Sequence, residues 1–280
     1  NPDIMKGVSE SLAGRIAYVE LQPFNLLELE GLEIPIREHH FYGGFPNVIL
    51  EKDKEAQLDW LDNFISTYVQ RDLPMYGLPI SPIQTRRLLE MLAWINGNLL
   101  NYSSVGKSLG VSHITLKSYM EYLNGSFVTM ELEPFHFNIK KRLTKSTKVY
   151  FTDTGLLHRF LKLNAFNDLL GTPFLGASWE AYVINQIRAL KSDELDLFFY
   201  RTYSGAEIDL VVAKGMQPVA SIEIKFSEKP DLSRGNTTSI QDLGTTQNFI
   251  IVPGEQDYRK TETLRVCGIQ QFLEGYLPHL

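Results

Sequence analysis

Apolar residues recur along this chain at two different periods, and the change from one to the other organises it. The first 45 residues offer a single strand candidate, 16–21, among turns that run through Gly43-Gly44-Phe45-Pro46, too little to build a core alone. Over residues 57–69, Leu58, Leu61, Phe64, Ile65 and Tyr68 fall three and four apart, which predicts an amphipathic helix stopping near Pro74. Three shorter helical segments follow. Leu88, Leu89, Leu92, Ala93 and Ile95 mark the first, closed by Asn96-Gly97. Ser103 or Ser104 caps a second that carries Val105 and Leu109 and ends at Gly110. Ser112 caps a third with Leu116, Tyr119, Met120 and Leu123 on one side. Helix, short helix, tight turn and longer helix is the helix-turn-helix pattern. Residues 127–132 and 135–139, with Glu133-Pro134 at the bend, then predict a hairpin where a winged helix keeps its wing.

Beyond this block the elements alternate in type. A strand is predicted at 149–152, helices at 155–163 and 178–190, strands at 195–201, 207–213, 219–226 and 248–252, with a polar, partly helical segment before the last. That alternation predicts an α/β layer, α+β over the whole chain, divided at 1–82, 83–150 and 151–280.

Composition narrows the function classes. With 44% hydrophobic and 11% aromatic residues in 280, the chain can fill real cores and is not a disordered one. No run approaches the roughly 18 apolar residues of a membrane-spanning helix. The net charge of −6 excludes a surface that attracts nucleic acid everywhere, so any polyanion site is local. Cys267 has no cysteine partner and the opening Asn1-Pro2-Asp3 lacks a secretory pattern, so a reducing cytoplasm is expected. The six histidines show no zinc spacing.

One local positive spot exists. Lys140, Lys141, Arg142, Lys145 and Lys148 place five cations in nine residues just after the helix-turn-helix. Read blandly the run is a solvated loop; beside a groove-binding motif it is a phosphate-backbone contact, with Lys117 on the third helix as a further DNA-binding candidate. Gly106-Lys107-Ser108 mimics the end of a phosphate-binding loop, but Asn101 stands where that loop needs glycine. Gly106-Lys107-Ser108-Leu109-Gly110 also has nucleophile-elbow spacing, without the strand before it that a hydrolase serine needs.

The most informative segment runs from Gly205 to Phe226. Two strands joined by about five residues predict an antiparallel hairpin, and symmetry about Met216 sets Asp209 opposite Glu223 and Glu207 opposite Lys225. Alternation puts these four polar groups on one face and Ile208, Leu210, Ile222, Ile224 and Phe226 on the other. Two carboxylates whose Cβ atoms lie about 5 Å apart destabilise a sheet, whereas a divalent cation between them reverses the sign; magnesium, or manganese, is the natural candidate. Glu180, on a helical stripe with Ile184 and Ile187, looks inward near a helix start and needs a partner, a cation or Lys225. The competing reading is a solvated strand face plus a glutamate in a first helical turn.

Glu180, Asp209 and Glu223-Ile224-Lys225, spread over helix, strand and strand, resemble the PD-(D/E)xK nuclease superfamily, especially its Holliday-junction-resolvase-like members. The resemblance implies a restriction-endonuclease-like domain in which Asp209 and Glu223 hold magnesium, Glu180 is an accessory ligand, and Lys225 serves catalysis of phosphodiester hydrolysis beside them. Ser9-Glu10-Ser11-Leu12-Ala13-Gly14-Arg15, Tyr42-Gly43-Gly44-Phe45-Pro46, Tyr68-Val69-Gln70-Arg71-Asp72, Lys148-Val149-Tyr150-Phe151-Thr152-Asp153-Thr154-Gly155-Leu156 and Ser178-Trp179-Glu180 together resemble a widespread prokaryotic family of predicted AAA-type ATPases. Those proteins carry an N-terminal P-loop domain, a winged helix and a nuclease-like carboxy-terminal region. This chain has no GxxxxGK[ST], so the resemblance implies the portion downstream of the nucleotide site. On that reading residues 1–82 follow the ATPase core, Arg15 either senses nucleotide or anchors a loop, and ATP enters only through the upstream domain. DNA, that ATPase domain and further copies of the protein are the implied partners. The alternative is a non-catalytic DNA- or protein-binding module on a degenerate nuclease fold.

Overall fold

In the computed structural model, which describes residue 15 and residues 19–136 and 144–280, helices gather around a two-stranded sheet and lead into a six-stranded mixed sheet. The mixed α and β composition agrees with the class expected from the sequence. Residues 16–18 lie outside the described residues, and 19–21 form no strand.

The first 45 residues do more than turn. Helix Ile36–Tyr42 buries His39, His40, Phe41 and Tyr42, and helix Thr154–Phe160 packs against it. Glycines permit the approach. A Cβ on Gly155 would lie 2.1 Å from the Tyr42 carbonyl oxygen, and one on Gly43, at φ +81°, would lie 2.2 Å from an Asp153 oxygen. Asp153 itself accepts from Gly44 N–H (2.8 Å) and Leu156 N–H (3.0 Å), joining the two glycine-bearing motifs. The amphipathic helix runs Lys54–Thr67 and loosens into a π-turn, Tyr68–Asp72, before Pro74.

The three helices predicted as a helix-turn-helix run Pro82–Trp94, Tyr102–Leu109 and His113–Gly125. Ser112 caps the third helix by accepting from Thr115 N–H, as expected. The second is capped by Asn101, whose Oδ1 accepts from Ser104 N–H, rather than by a serine. Gly110 closes it at φ +81°, and a Cβ on Gly106 would lie 3.0 Å from the Val111 carbonyl, so the tight turn needs both.

Of the second strand expected in the hairpin, 135–139, residues 137–139 lie outside the described residues, and the first strand has a distant partner. Strand β1 (Thr129–Leu132) pairs antiparallel with β2 (Lys148–Phe151), while Pro134 bridges Phe199 instead of turning the chain. Strand β2, read from sequence as the start of the α/β layer, therefore belongs by its hydrogen bonds to the helix-turn-helix module: it also bonds the segment after the first helix through Gly97, Asn98 and Leu100. Its side chains divide. Val149 and Phe151 sit in the helical core with Leu88, Leu92 and Leu116, and Tyr150 sits in the next core with Trp179, Ile184 and Leu210.

The large sheet has the order β3 (Leu195–Arg201), β4 (Glu207–Lys214), β5 (Gln217–Ile224), β6 (Gln247–Val252), β8 (Leu264–Gly268), β7 (Asp257–Arg259). The pairs β3–β4, β4–β5 and β7–β8 are antiparallel; β5–β6 and β6–β8 are parallel. Helix Arg234–Leu243 provides the β5-to-β6 crossover, and helix Leu175–Leu190 packs on the sheet through Trp179, Val183, Ile184 and Ile187. Strands β7 and β8 and the helix Ile269–Gly275 extend the layer beyond what the periodicity shows.

Candidate functional site

The β4–β5 connection is tighter than expected. Gly215, at φ +61°, and Met216 make a two-residue turn, pairing Lys214 with Gln217 and Ala213 with Pro218. One extra residue on β5 then shifts the register, so that Val212 meets Ala220 and Leu210 meets Ile222. Pro218, lacking an N–H, sits beside that bulge, where a ladder can spare a donor. The bulge restores the pairing that a symmetric loop would have produced, and the expected Asp209–Glu223 neighbourhood survives by a different route. Beyond the last ladder pair, Asp209 Oδ2 accepts from the Ile224 N–H at 2.9 Å.

Glu207 and Lys225 do not meet. Lys225 lies past the end of β5, its N–H bonding the Ile251 carbonyl, and its Nζ stands 2.6 Å from Glu223 Oε1. Glu207 is held by Arg201 at 3.2 Å and by a lysine that the sequence reading assigned elsewhere. That lysine is Lys148. Its Nζ lies 2.8 Å from Glu207, 2.9 Å from Glu180 and 3.9 Å from Asp209, with a side chain only 3% exposed. Two positions on, Tyr150 points the same way and donates to Glu180. Glu180 is not at a helix start, since the helix begins at Leu175, so this lysine and phenol, rather than the helix dipole, answer its charge.

Burial sets the electrostatics. Asp209 is pushed well above the usual carboxylate range by desolvation, and next by Glu180 and Glu223 nearby. Glu223 is also raised by burial, with Lys225 pulling the other way. Its second oxygen accepts from Asn236 Nδ2 at 2.8 Å. Desolvation pulls Lys148 down, but the combined carboxylates and Tyr150 outweigh it and hold the ammonium above its ordinary value.

Carboxylate oxygens suit a hard divalent cation. Among the described residues, however, no group of three or more His, Cys, Asp or Glu is placed to hold one. In this arrangement Lys148 takes the central position.

Two of the five proposed DNA contacts, Lys117 and Lys145, line one groove. Lys140, Lys141 and Arg142 lie outside the described residues. Lys117 is exposed on the third helix of the helix-turn-helix, and with Lys145 and Arg188 it lines an open groove shared with Glu20, Glu121, Glu131 and Glu133. Arg15 is an exposed turn residue. The sequence reading missed Lys148 as a site residue because it closes a basic run. The signal was its position opening the apolar strand Val149-Tyr150-Phe151, two residues from a tyrosine on the same side.

A second polar cluster is buried. Ser178 Oγ lies 2.7 Å from His40 Nε2 and 2.6 Å from His158 Nε2. The Phe41 carbonyl can only accept, so His158 Nδ1 carries the proton and its Nε2 accepts from the serine. His40 Nε2–H then donates to Ser178, leaving His40 Nδ1 without a partner. All three side chains are about 1% exposed or less, so the serine and histidines form a packed core network.

Among the described residues, no helix is long and apolar enough to cross a membrane.

Residues 35–167 match the model of a domain of unknown function, DUF8612, and residues 175–272 that of another, DUF4143. Uncharacterized protein Rv2008c of Mycobacterium tuberculosis and Uncharacterized protein Mb2031c of Mycobacterium bovis are each 34% identical over 273 residues, which is 98% of this chain and 61% of each relative's length. The refined half-complex from a tetradecameric assembly of Thermococcus gammatolerans McrB AAA+ hexamers with bound McrC shows 14% identity over 78% of this chain and 72% of that chain. Its TM-score of 0.26 is too low to establish a shared fold. Two successive stretches of the chain thus each match a domain of unknown function.

Proposed function

We propose that this chain is the carboxy-terminal part of an AAA-ATPase-associated protein that grips DNA through its helix-turn-helix and acts on phosphodiester bonds where Asp209, Glu223 and Lys225 gather. The observation that carries this reading is the convergence of Glu180 from the helix, Asp209 from β4 and Glu223 from β5 on one end of the sheet, with Lys225 ion-paired beside them. Burial there keeps the acids short of solvent, so cations govern their charge. Glu180, Asp209 and Glu223 would be the residues to hold magnesium or manganese once Lys148 withdraws, and the ion would lower the pKa of bound water. Lys225 would stand ready for the charge developing on phosphate. ATP belongs to an upstream domain in this reading, with Arg15 near the junction, and that domain and further copies of the protein are its partners. The buried, unpaired Cys267 suits a reducing cytoplasm.

A second reading rests on a specific observation. Four glutamates share the groove of Lys117 and Lys145, which weakens its pull on phosphate and favours a non-catalytic module that binds DNA loosely or a protein partner instead.

Incubating the chain with branched and linear duplexes, with magnesium or manganese and across a salt series, separates the two. The nuclease reading expects an affinity that falls steeply with salt, and cleavage lost in Asp209→Ala and Lys225→Ala while binding persists. Binding without cleavage selects the non-catalytic module; salt-insensitive or absent binding rules out the DNA grip.

A further inference from the structure

Helix Leu175–Leu190 meets the end of strand β2 through an amide with one half left over. Asn185 Nδ2 donates to the Phe151 carbonyl at 2.9 Å, and a carbonyl can only accept, so the orientation of the amide is fixed. Asn185 Oδ1 is buried and has no donor among the described residues. An acceptor in that position bears the cost of its lost hydration with nothing to offset it. The same residue lines a polar cavity of about 20 Å³, shared with the Gly43-Gly44 loop, Thr152, Asp153 and Tyr182.

The hydroxyls on the cavity wall are committed elsewhere. Thr152 donates to the Phe127 carbonyl at 2.6 Å, and Thr154 to that of His40 at 2.7 Å. His39 Nε2 faces the Phe24 carbonyl and so carries the ring proton, which leaves His39 Nδ1 to accept from Tyr182 at 3.0 Å. Ionised, Asp153 adds only acceptor oxygens. Asn185 Oδ1 therefore needs a group that arrives with its own protons.

We propose that this cavity is a binding site for one water molecule, which donates to Asn185 Oδ1. A single water needs roughly 10–15 Å³ of such space, so the cavity takes one. Its second proton has acceptors around it in the oxygens of Thr152, Tyr182 and Asp153, which keep lone pairs free. An anion brings no proton to Asn185 and would face the Asp153 carboxylate. The water ties together three segments that direct hydrogen bonds already draw close: the Gly43-Gly44 loop, the Thr152-Asp153 turn and the helix that carries Glu180.

A high-resolution crystal structure of the full chain tests this. Density for one water within hydrogen-bond reach of Asn185 Oδ1, about 2.5–3.0 Å, is expected. A protein group donating to that oxygen instead, or no density there, overturns the proposal. Oxygen-17 magnetic relaxation dispersion reads the same site in solution, because it counts waters held longer than the protein takes to tumble. Asn185→Leu removes the acceptor, so the count should fall by one water from that of the parent. If Asn185→Leu does not fold, Ala189→Val narrows the cavity while leaving the amide in place, and carries the same expectation. An unchanged count in a folded variant means that no water is held by Asn185, and the site is refuted.

Discussion

Burial of titratable side chains decides how single residues respond to acid. Burial pulls His39 and His158 down to about 4, and His40 well below its usual 6.5. A histidine depressed in the folded state gives stability that is whole above the unfolded value and is lost as pH falls through the folded one, because the unfolded chain takes the proton first. For His158 the window runs from about 6.5 down to about 4. Asp153 works in the opposite direction. Burial raises it to about 6 against the pull of Gly44 and Leu156 N–H donors, so its contribution is present in acid and is lost as pH rises through about 6. A comparison with His158→Gln cancels that term. Urea denaturation should show the wild-type chain losing up to about 3 kcal/mol relative to this variant between pH 7 and pH 4, from roughly 2.5 pKa units at about 1.4 kcal/mol each. A constant difference across that range would place His158 outside the buried network.

At the scale of elements, two contacts set the expected costs. Gly155 lets helix Thr154–Phe160 meet the end of helix Ile36–Tyr42, so Gly155→Ala forces the two apart. It should cost more than about 3 kcal/mol, as overpacking of a rigid contact does, or prevent folding, measured by the urea midpoint. Ser112→Ala removes only the cap of the third helix and should cost about 1 kcal/mol, leaving the helix-turn-helix assembled. These elements were largely legible in the sequence. The three-and-four spacing marked the helix-turn-helix, and alternation marked β3, β4, β5 and β6 to within a few residues. Helix Ile36–Tyr42 was not, because four buried residues in a row, two of them histidines, carry no amphipathic period. Strand pairing was harder still. Strand Thr129–Leu132 pairs with Lys148–Phe151, a non-local contact that local pattern does not encode. The carboxylate face was readable because side chains alternate along a strand. Lys148 was not, since a lysine's ion-pair partners lie 32, 59 and 61 positions away in sequence.

On the scale of the whole molecule, β2 is the joint. With Val149 and Phe151 in one core and Tyr150 in the other, neither core can open without disturbing the strand that fills both. The chain should therefore melt in one calorimetric transition. Leu88→Ala in the helical core and Leu210→Ala in the sheet core, each costing about 2–5 kcal/mol, should both lower that same transition. Two transitions, with each substitution moving only one, would show that the strand does not couple the cores.

The joint also dictates where the molecule can be divided. A fragment opened at residue 151 would keep the acids of the sheet but leave behind the ammonium and the phenol that answer them. Such a piece would scavenge stray cations from its buffer. Cation uptake by the excised half would then overstate that of the intact chain, whose Lys148 and Tyr150 still answer Glu180.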